Sequence, residues 1–115
     1  MHELSIMNEV LKTALNVAET HNGKRVTRVT LRVGVMSGIV PYFCSSMFET
    51  IAKGSIAEGC ELIVEEVPAV FKCLDCGEET SYEAPGPEYK CSACGSPSLR
   101  LIDGYKSQII NIGIV

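Results

Sequence analysis

No run of about 20 apolar residues occurs in this chain, so no transmembrane helix is expected. The N-terminus has no basic patch followed by an apolar stretch, so no signal peptide is expected either. Lysine and arginine form no cluster, and the balance is 14 acidic against 10 basic residues, net −4. That argues against nucleic acid and anionic membranes as partners. These absences point to a soluble, cytoplasmic protein. What is present is enough for a core: 46% of the 115 residues are hydrophobic, which suits one compact unit with a small module appended. The 6 cysteines then need a reason. In a cytoplasmic chain, paired spacings favour metal over disulfides.

Apolar residues fall at Leu4, Met7, Val10, Leu11, Ala14, Leu15 and Ala18, the i, i+3, i+4 rhythm of an amphipathic helix. Asn22-Gly23 is the stop signal, with Gly23 expected in the left-handed conformation. His21 is expected to serve that helix end. In RVTRVTLRVGV, Val29, Leu31, Val33 and Val35 alternate with Arg28, Thr30, Arg32 and Gly34, which predicts a half-buried strand. Pro41 suits the first position of a second helix, whose inner stripe would be Phe43, Cys44, Met47, Phe48 and Ile51, ending near Gly54. CELIVEEV predicts a second strand. YKSQIINIGIV predicts a third, with Ile110, Ile112 and Ile114 on one face.

Between those last strands, from Pro68 to about Ser98, the chain turns rich in Cys, Gly, Pro and charge and poor in aliphatics. Such a stretch needs a staple. It carries CLDCG (Cys73, Cys76, Gly77) and CSACG (Cys91, Cys94, Gly95), spaced C-x2-C-x14-C-x2-C. Two intervening residues let one tight turn aim both sulfurs at one ion. The following glycine permits positive φ, so that backbone N–H groups can face the thiolates. Two such knuckles complete a tetrahedral four-thiolate shell. A rubredoxin-like iron site is the chemical rival. Zinc is favoured, because the segment has only Phe71, Tyr82 and Tyr89 to shield a redox iron. A zinc with four thiolates has no open position, so it is structural. Lys72, Lys90 and Arg100 are outnumbered by Asp75, Glu78, Glu79, Glu83, Glu88 and Asp103, so the ribbon would repel phosphate. Cys44 and Cys60, outside the knuckles, are expected to be small buried hydrophobes. The fold class is therefore α+β: a small three-stranded sheet packed by two helices, with a four-cysteine zinc ribbon inserted between the second and third strands.

The chain opens MHELSIMNEV. The Met1 amine, the His2 amide nitrogen and the His2 imidazole can form fused chelate rings around one ion, and Glu3 adds a carboxylate and another amide. A nitrogen-rich, near-planar set suits Ni(II) or Cu(II). On this chemistry alone the plainer reading is stronger: a frayed terminus, with Glu3 an acid near a helix start.

MHELS at the start, GSIAEGCEL before the second strand, and the knuckle pair before a final strand together resemble the HypA/HybF family, the nickel metallochaperones of [NiFe]-hydrogenase maturation, which in some organisms also serve urease. The similarity runs in order over nearly the whole chain. It implies Ni(II) as transient cargo at His2, assisted by Glu3 and by the Met1 amine, and structural Zn(II) at Cys73, Cys76, Cys91 and Cys94. It implies a metal carrier and not an enzyme, a nickel-insertion GTPase as partner, and delivery to the hydrogenase large subunit, with urease and a homodimer left open. The nickel-binding α/β domain would then comprise residues 1–67 and 99–115, and the ribbon residues 68–98. Val35, Tyr42 and Ser92 stand where many relatives carry Glu, Glu and Pro. None of the three is a proposed ligand, but the first two alter the surface that partners meet. Two other readings come from different classes: a zinc-ribbon adaptor acting through macromolecular contacts, and an iron-bearing electron carrier.

Overall fold

The computed structural model describes residues 2–83 and 89–115, the first of these by its backbone alone. The elements run α1 (His2–Thr20), β1 (Val26–Gly34), α2 (Pro41–Ala52), β2 (Glu61–Val67), β3 (Ala69–Cys73), β4 (Glu79–Tyr82), β5 (Leu99–Asp103) and β6 (Ser107–Ile114). They form two three-stranded sheets, ordered β2-β1-β6 and β4-β3-β5.

The helical period of α1 buries Met7, Val10, Ala14 and Ala18, with Leu11 and Leu15 packed at the margin; Leu4 is exposed. The helix ends in a Schellman turn, in which Gly23 N–H donates to Ala18 O at 2.7 Å and Asn22 N–H to Glu19 O at 3.2 Å. The left-handed residue is Asn22 (φ 55) and not Gly23. Gly23 packs tightly instead, since a Cβ there would come within 3.3 Å of Ile114. His21 serves this end as expected, its Nδ1 donating to Val17 O at 3.0 Å. In α2 the first helical residue is Pro41, and Cys44, Phe48 and Ala52 are buried. Phe43, placed by periodicity on the inner stripe, lies at the surface with Tyr42, their rings 5.5 Å apart.

Strand β1 pairs in parallel with β2, the crossover supplied by α2, and antiparallel with β6. Its alternation sends Val29, Leu31 and Val33 into the core beneath the helices. The other face carries Arg28 and Arg32, which reach Glu61 at 2.9 Å and Glu65 at 3.5 Å. Both pairs are about half exposed, so each contributes less than roughly 1 kcal/mol. Strand β6 departs from the simple alternation. The register passes from Thr30↔Asn111 to Leu31↔Ile109, leaving Ile110 as an unpaired extra residue. This bulge reverses the pleat. Ile109, Ile112 and Ile114 therefore pack on the core, while Ile110 is 41% exposed. A second irregularity at Thr27 brings Val26 into the core, a position the alternation from Val29 onward did not include.

The second sheet takes in β5, which pairs with β3 from Val70↔Asp103 to Cys73↔Leu99, so its pairing continues past Ser98. The molecule is long, 54 × 25 × 17 Å, with a radius of gyration of 17.4 Å; a compact chain of this length would have about 13 Å. The sheets meet where Val67-Pro68-Ala69 leaves β2 and Gly104 leads back toward β6. There Gly34 and Gly104 cross with no room for a Cβ on either, and Gly104 has φ +86. Three backbone hydrogen bonds tie the crossing: Gly34 N–H to Lys106 O at 2.8 Å, Val35 N–H to Val67 O at 2.9 Å and Met36 N–H to Gly104 O at 2.8 Å.

Candidate metal centre

Each knuckle is built the same way. In the first, Gly77 (φ 81) closes the turn by donating to Cys73 O at 2.9 Å, and Cys73 N–H donates to Glu78 O at 2.8 Å. In the second, Gly95 (φ 74) donates to Cys91 O at 2.9 Å, and Cys91 N–H donates to Ser96 O at 2.9 Å. The positive φ at both glycines is what a side chain would resist. The turns aim N–H groups at sulfur: Cys76 at Cys73 Sγ (3.4 Å), and Ala93 and Cys94 at Cys91 Sγ (3.4 and 3.5 Å).

The knuckles face each other. Cys73 Sγ lies 3.6 Å from Cys94 Sγ, and Cys76 Sγ lies 3.5 Å from Cys91 Sγ. All four sulfurs fall within 4.8 Å of one another. A tetrahedron with metal–sulfur bonds of about 2.3 Å has edges of about 3.8 Å, so the spacing fits one four-coordinate cation. Two side-chain clips hold the turns together. The Ser96 hydroxyl donates to the Asp75 carboxylate. Thr80 Oγ1 lies 2.9 Å from Ser92 Oγ and accepts from Ser92 N–H at 3.2 Å. A proline at position 92 would have no such N–H to give.

Electrostatics separates the sulfurs into two kinds. The N–H of Cys94, then that of Ala93, lowers the Cys91 thiol to about 6. Cys73 is lowered likewise, chiefly by the Cys76 N–H. The Glu78 N–H also pulls Cys76 down, but the neighbouring sulfurs, Cys91 foremost, outweigh it and push the thiol up to about 12. Cys94 is raised by Cys73 and Cys91 against the pull of the Ser96 N–H. In each knuckle the backbone N–H groups favour the charged form of the buried sulfur, Cys91 or Cys73, while neighbouring sulfurs disfavour it at the exposed partner.

Beside the knuckles lies a small aromatic cluster. Phe71, Tyr82 and Tyr89 contact one another with ring centroids 4.8 to 5.8 Å apart. The Tyr82 hydroxyl donates to Lys90 O at 2.6 Å and accepts from Lys90 N–H at 3.1 Å. Tyr89 reaches across the junction, its hydroxyl 3.4 Å from Met36 Sδ. The three aromatics are conspicuous in the sequence; that they converge depends on strand pairing that no local signal announces.

At the other end of the molecule, Met1 and the His2 imidazole lie outside the described residues. The Glu3 carboxylate is placed: its Oε2 accepts from Val40 N–H at 3.0 Å, at the start of α2. Cys44 is buried and Cys60 partly so; both are free thiols outside the cluster. Burial raises both, and the nearby Glu3 carboxylate raises Cys44 further.

Comparison with known proteins gives one answer. A family model described as "Hydrogenase/urease nickel incorporation, metallochaperone, hypA" matches residues 1–114. The chain is 33% identical over 115 residues to a Hydrogenase maturation factor HypA from Picosynechococcus sp., covering 100% of each. It is 38% identical over 104 residues to the factor of the same name from Aquifex aeolicus, covering 90% of this chain and 89% of that one. The solution structure of the Ni metallochaperone HypA from Helicobacter pylori superposes with a TM-score of 0.65 at 18% identity, covering 98% of this chain and 97% of the other, a likeness of fold.

Proposed function

The chain belongs to the HypA family of metallochaperones for nickel incorporation into hydrogenase and urease, and from that premise we propose that it captures Ni(II) at its N-terminus and passes it on. His2 is the principal ligand through its imidazole and amide nitrogen, joined by the Met1 amine and by Glu3. Zn(II) at Cys73, Cys76, Cys91 and Cys94 is structural. The recipients are a nickel-insertion GTPase and the hydrogenase large subunit, and the work is done in the cytoplasm without catalysis. The nickel-binding part is residues 1–67 with the last strand of the chain, and the ribbon is residues 68–98 extended through β5, which pairs with β3.

The observation that carries this reading is that α1 opens at His2. The N–H groups of a helix's first turn are not consumed by its own ladder, so the amide nitrogens there can be given to a metal without dismantling the helix. A planar nitrogen set built from such amides suits Ni(II). A site at the end of an element can rearrange for hand-over without disturbing the core. Four sulfurs at tetrahedral spacing suit zinc equally well, and zinc there would supply a divalent charge to balance clustered thiolates.

Nickel titration of the native chain against His2→Ala tests the proposal. We expect one nickel per chain, lost in the variant, with zinc content the same in both. A short N-terminal extension, which turns the terminal amine into an amide, should weaken nickel in the same way. Nickel should also leave as pH falls through the imidazole range near about 6.5, before zinc does. Equal nickel affinity in native, variant and extended chains would place the cargo elsewhere.

A further inference from the structure

The four sulfurs of the ribbon differ in reach. Cys76 and Cys94, the second cysteine of each knuckle, are exposed, while Cys73 and Cys91, the first of each, are buried. The contacts between the knuckles join unlike members. Exposed Cys94 Sγ lies 3.6 Å from buried Cys73 Sγ, and exposed Cys76 Sγ lies 3.5 Å from buried Cys91 Sγ. At that separation the sulfurs already touch, so a bond between them needs only a small closing movement. Each buried sulfur is also held in place by its own turn, Cys73 Sγ by the Cys76 N–H and Cys91 Sγ by the N–H groups of Ala93 and Cys94. The two other thiols, Cys44 and Cys60, lie outside the cluster, and the Cys44 thiol is turned to Val40 O at 3.6 Å.

We propose that the knuckles are a site of reversible oxidation by hydroperoxides, which converts them to two disulfides running between the knuckles, Cys76–Cys91 and Cys73–Cys94. The proposal goes beyond the function above and rests on it only for zinc as the resident cation. An exposed thiolate, Cys76 or Cys94, attacks the peroxide: a sulfur–oxygen bond forms, the oxygen–oxygen bond breaks and hydroxide leaves. The buried sulfur facing it then attacks the sulfenic acid so formed: a sulfur–sulfur bond forms, the sulfur–oxygen bond breaks and a second hydroxide leaves. Each peroxide thus takes two electrons from one pair of thiolates, and a second peroxide closes the other pair. The ligands are withdrawn from the cation, which passes to solution with its charge unchanged. The direction of the links decides what survives. The members of the two pairs are 15 and 21 positions apart, so these links tie the two ends of the ribbon together as the cation did. Links closed within a knuckle would leave the ends unjoined. A sulfenic acid captured by a sulfur already in contact is also spared oxidation to the irreversible acids.

The test treats the full zinc-loaded chain with hydrogen peroxide, blocks the remaining thiols in denaturant and maps the product by mass after trypsin. Cleavage follows Lys72, Lys90 and Arg100, so Cys73 and Cys76 fall on one peptide, residues 73–90, and Cys91 and Cys94 on another, residues 91–100. Cys44 and Cys60 fall on two further peptides, which report oxidation elsewhere in the chain. We expect zinc to be released and the two knuckle peptides to be recovered joined, lighter by two hydrogens per bridge, with Cys44 and Cys60 unlinked. Cleavage before Asp75, with fragmentation between Cys91 and Cys94, assigns the partners. The amide NMR spectrum of the oxidised chain should retain β3 to β5, and a dithiol with added zinc should restore the starting mass and metal. Separate knuckle peptides, each closed on itself, would overturn the proposal, as would the opposite pairing or sulfonic acids in place of bridges. Zinc retained at a peroxide exposure that fully oxidises glutathione would overturn it too. A bridged but disordered ribbon would overturn the claim that the links stand in for the cation. An untreated chain that holds no zinc would count against the resident cation of the proposed function, while the peptide map would still decide the bridges.

Discussion

Thirteen buried side chains, from Met7 to Ala57, form one continuous core under α1 and α2, whereas the described residues of the ribbon bury the hydrophobic groups Ala69, Phe71, Cys73 and Cys91. The first part is held by packing spread over many residues, so its stability is divided into many modest shares. The second concentrates its stability in four sulfurs, three aromatic rings and two hydroxyl clips. The contrast teaches where each part is fragile. A distributed core tolerates the loss of one group, and a metal-centred turn does not.

The strongest way to sharpen that comparison is Cys91→Ala. Structural zinc is worth about 10–16 kcal/mol in small zinc domains, so the variant should lose stoichiometric metal and the order of β3 to β5. The α/β part should keep its helices. Metal analysis with residue-resolved NMR checks both halves at once, and a ribbon that stays ordered without metal would show the rings and clips to be sufficient. Phe48→Ala is the matching cut in the other part. It removes a side chain that is 2% exposed, at a cost of about 3–5 kcal/mol. Its chemical denaturation midpoint should drop while zinc content stays the same; loss of zinc in this variant would mean the two parts fold as one. Ser92→Ala is the smallest change. It deletes one side of the exposed Thr80 clip, at about 1 kcal/mol. Bound zinc should remain and pass to a competing chelator somewhat faster. Release as rapid as in a knuckle-cysteine variant would give the clip a larger share than an exposed hydrogen bond allows.

Legibility in the sequence followed the range of the interactions. The helices show in the spacing of Met7, Val10, Ala14 and Ala18 and in Pro41, because a helix face is set by neighbours three and four residues away. The knuckles show because a turn that aims two sulfurs needs its glycine in a fixed place. Whatever depends on a distant partner does not show. Ile110 gives no local sign of being the extra residue, since only its pairing with β1 decides that. Nor does Glu3 signal that its carboxylate meets the N–H of Val40, 37 residues later, at the start of α2. Asn22 and Gly23 are both tolerant of left-handed backbone, and Asn22 takes it because the hydrogen bond from Gly23 N–H to Ala18 O makes Asn22 the turning residue of the Schellman motif.

The bulge at Ile110 has a consequence for how the molecule behaves in a crowd. Strand β6 lies at the outside of its sheet, and from Ser107 to Val115 it carries no charged side chain and no proline. A long, flat, neutral border of that kind is a template on which neighbouring molecules can lay strands of their own. Ile110 interrupts it. The extra residue twists the strand partway along its length, so that no long straight row of free N–H and C=O groups faces outward. Deleting Ile110 would restore perfect alternation and, by the same stroke, straighten the border into a surface prone to self-assembly. The one irregular residue in the strand thus breaks the border on which a neighbouring strand would have to pair.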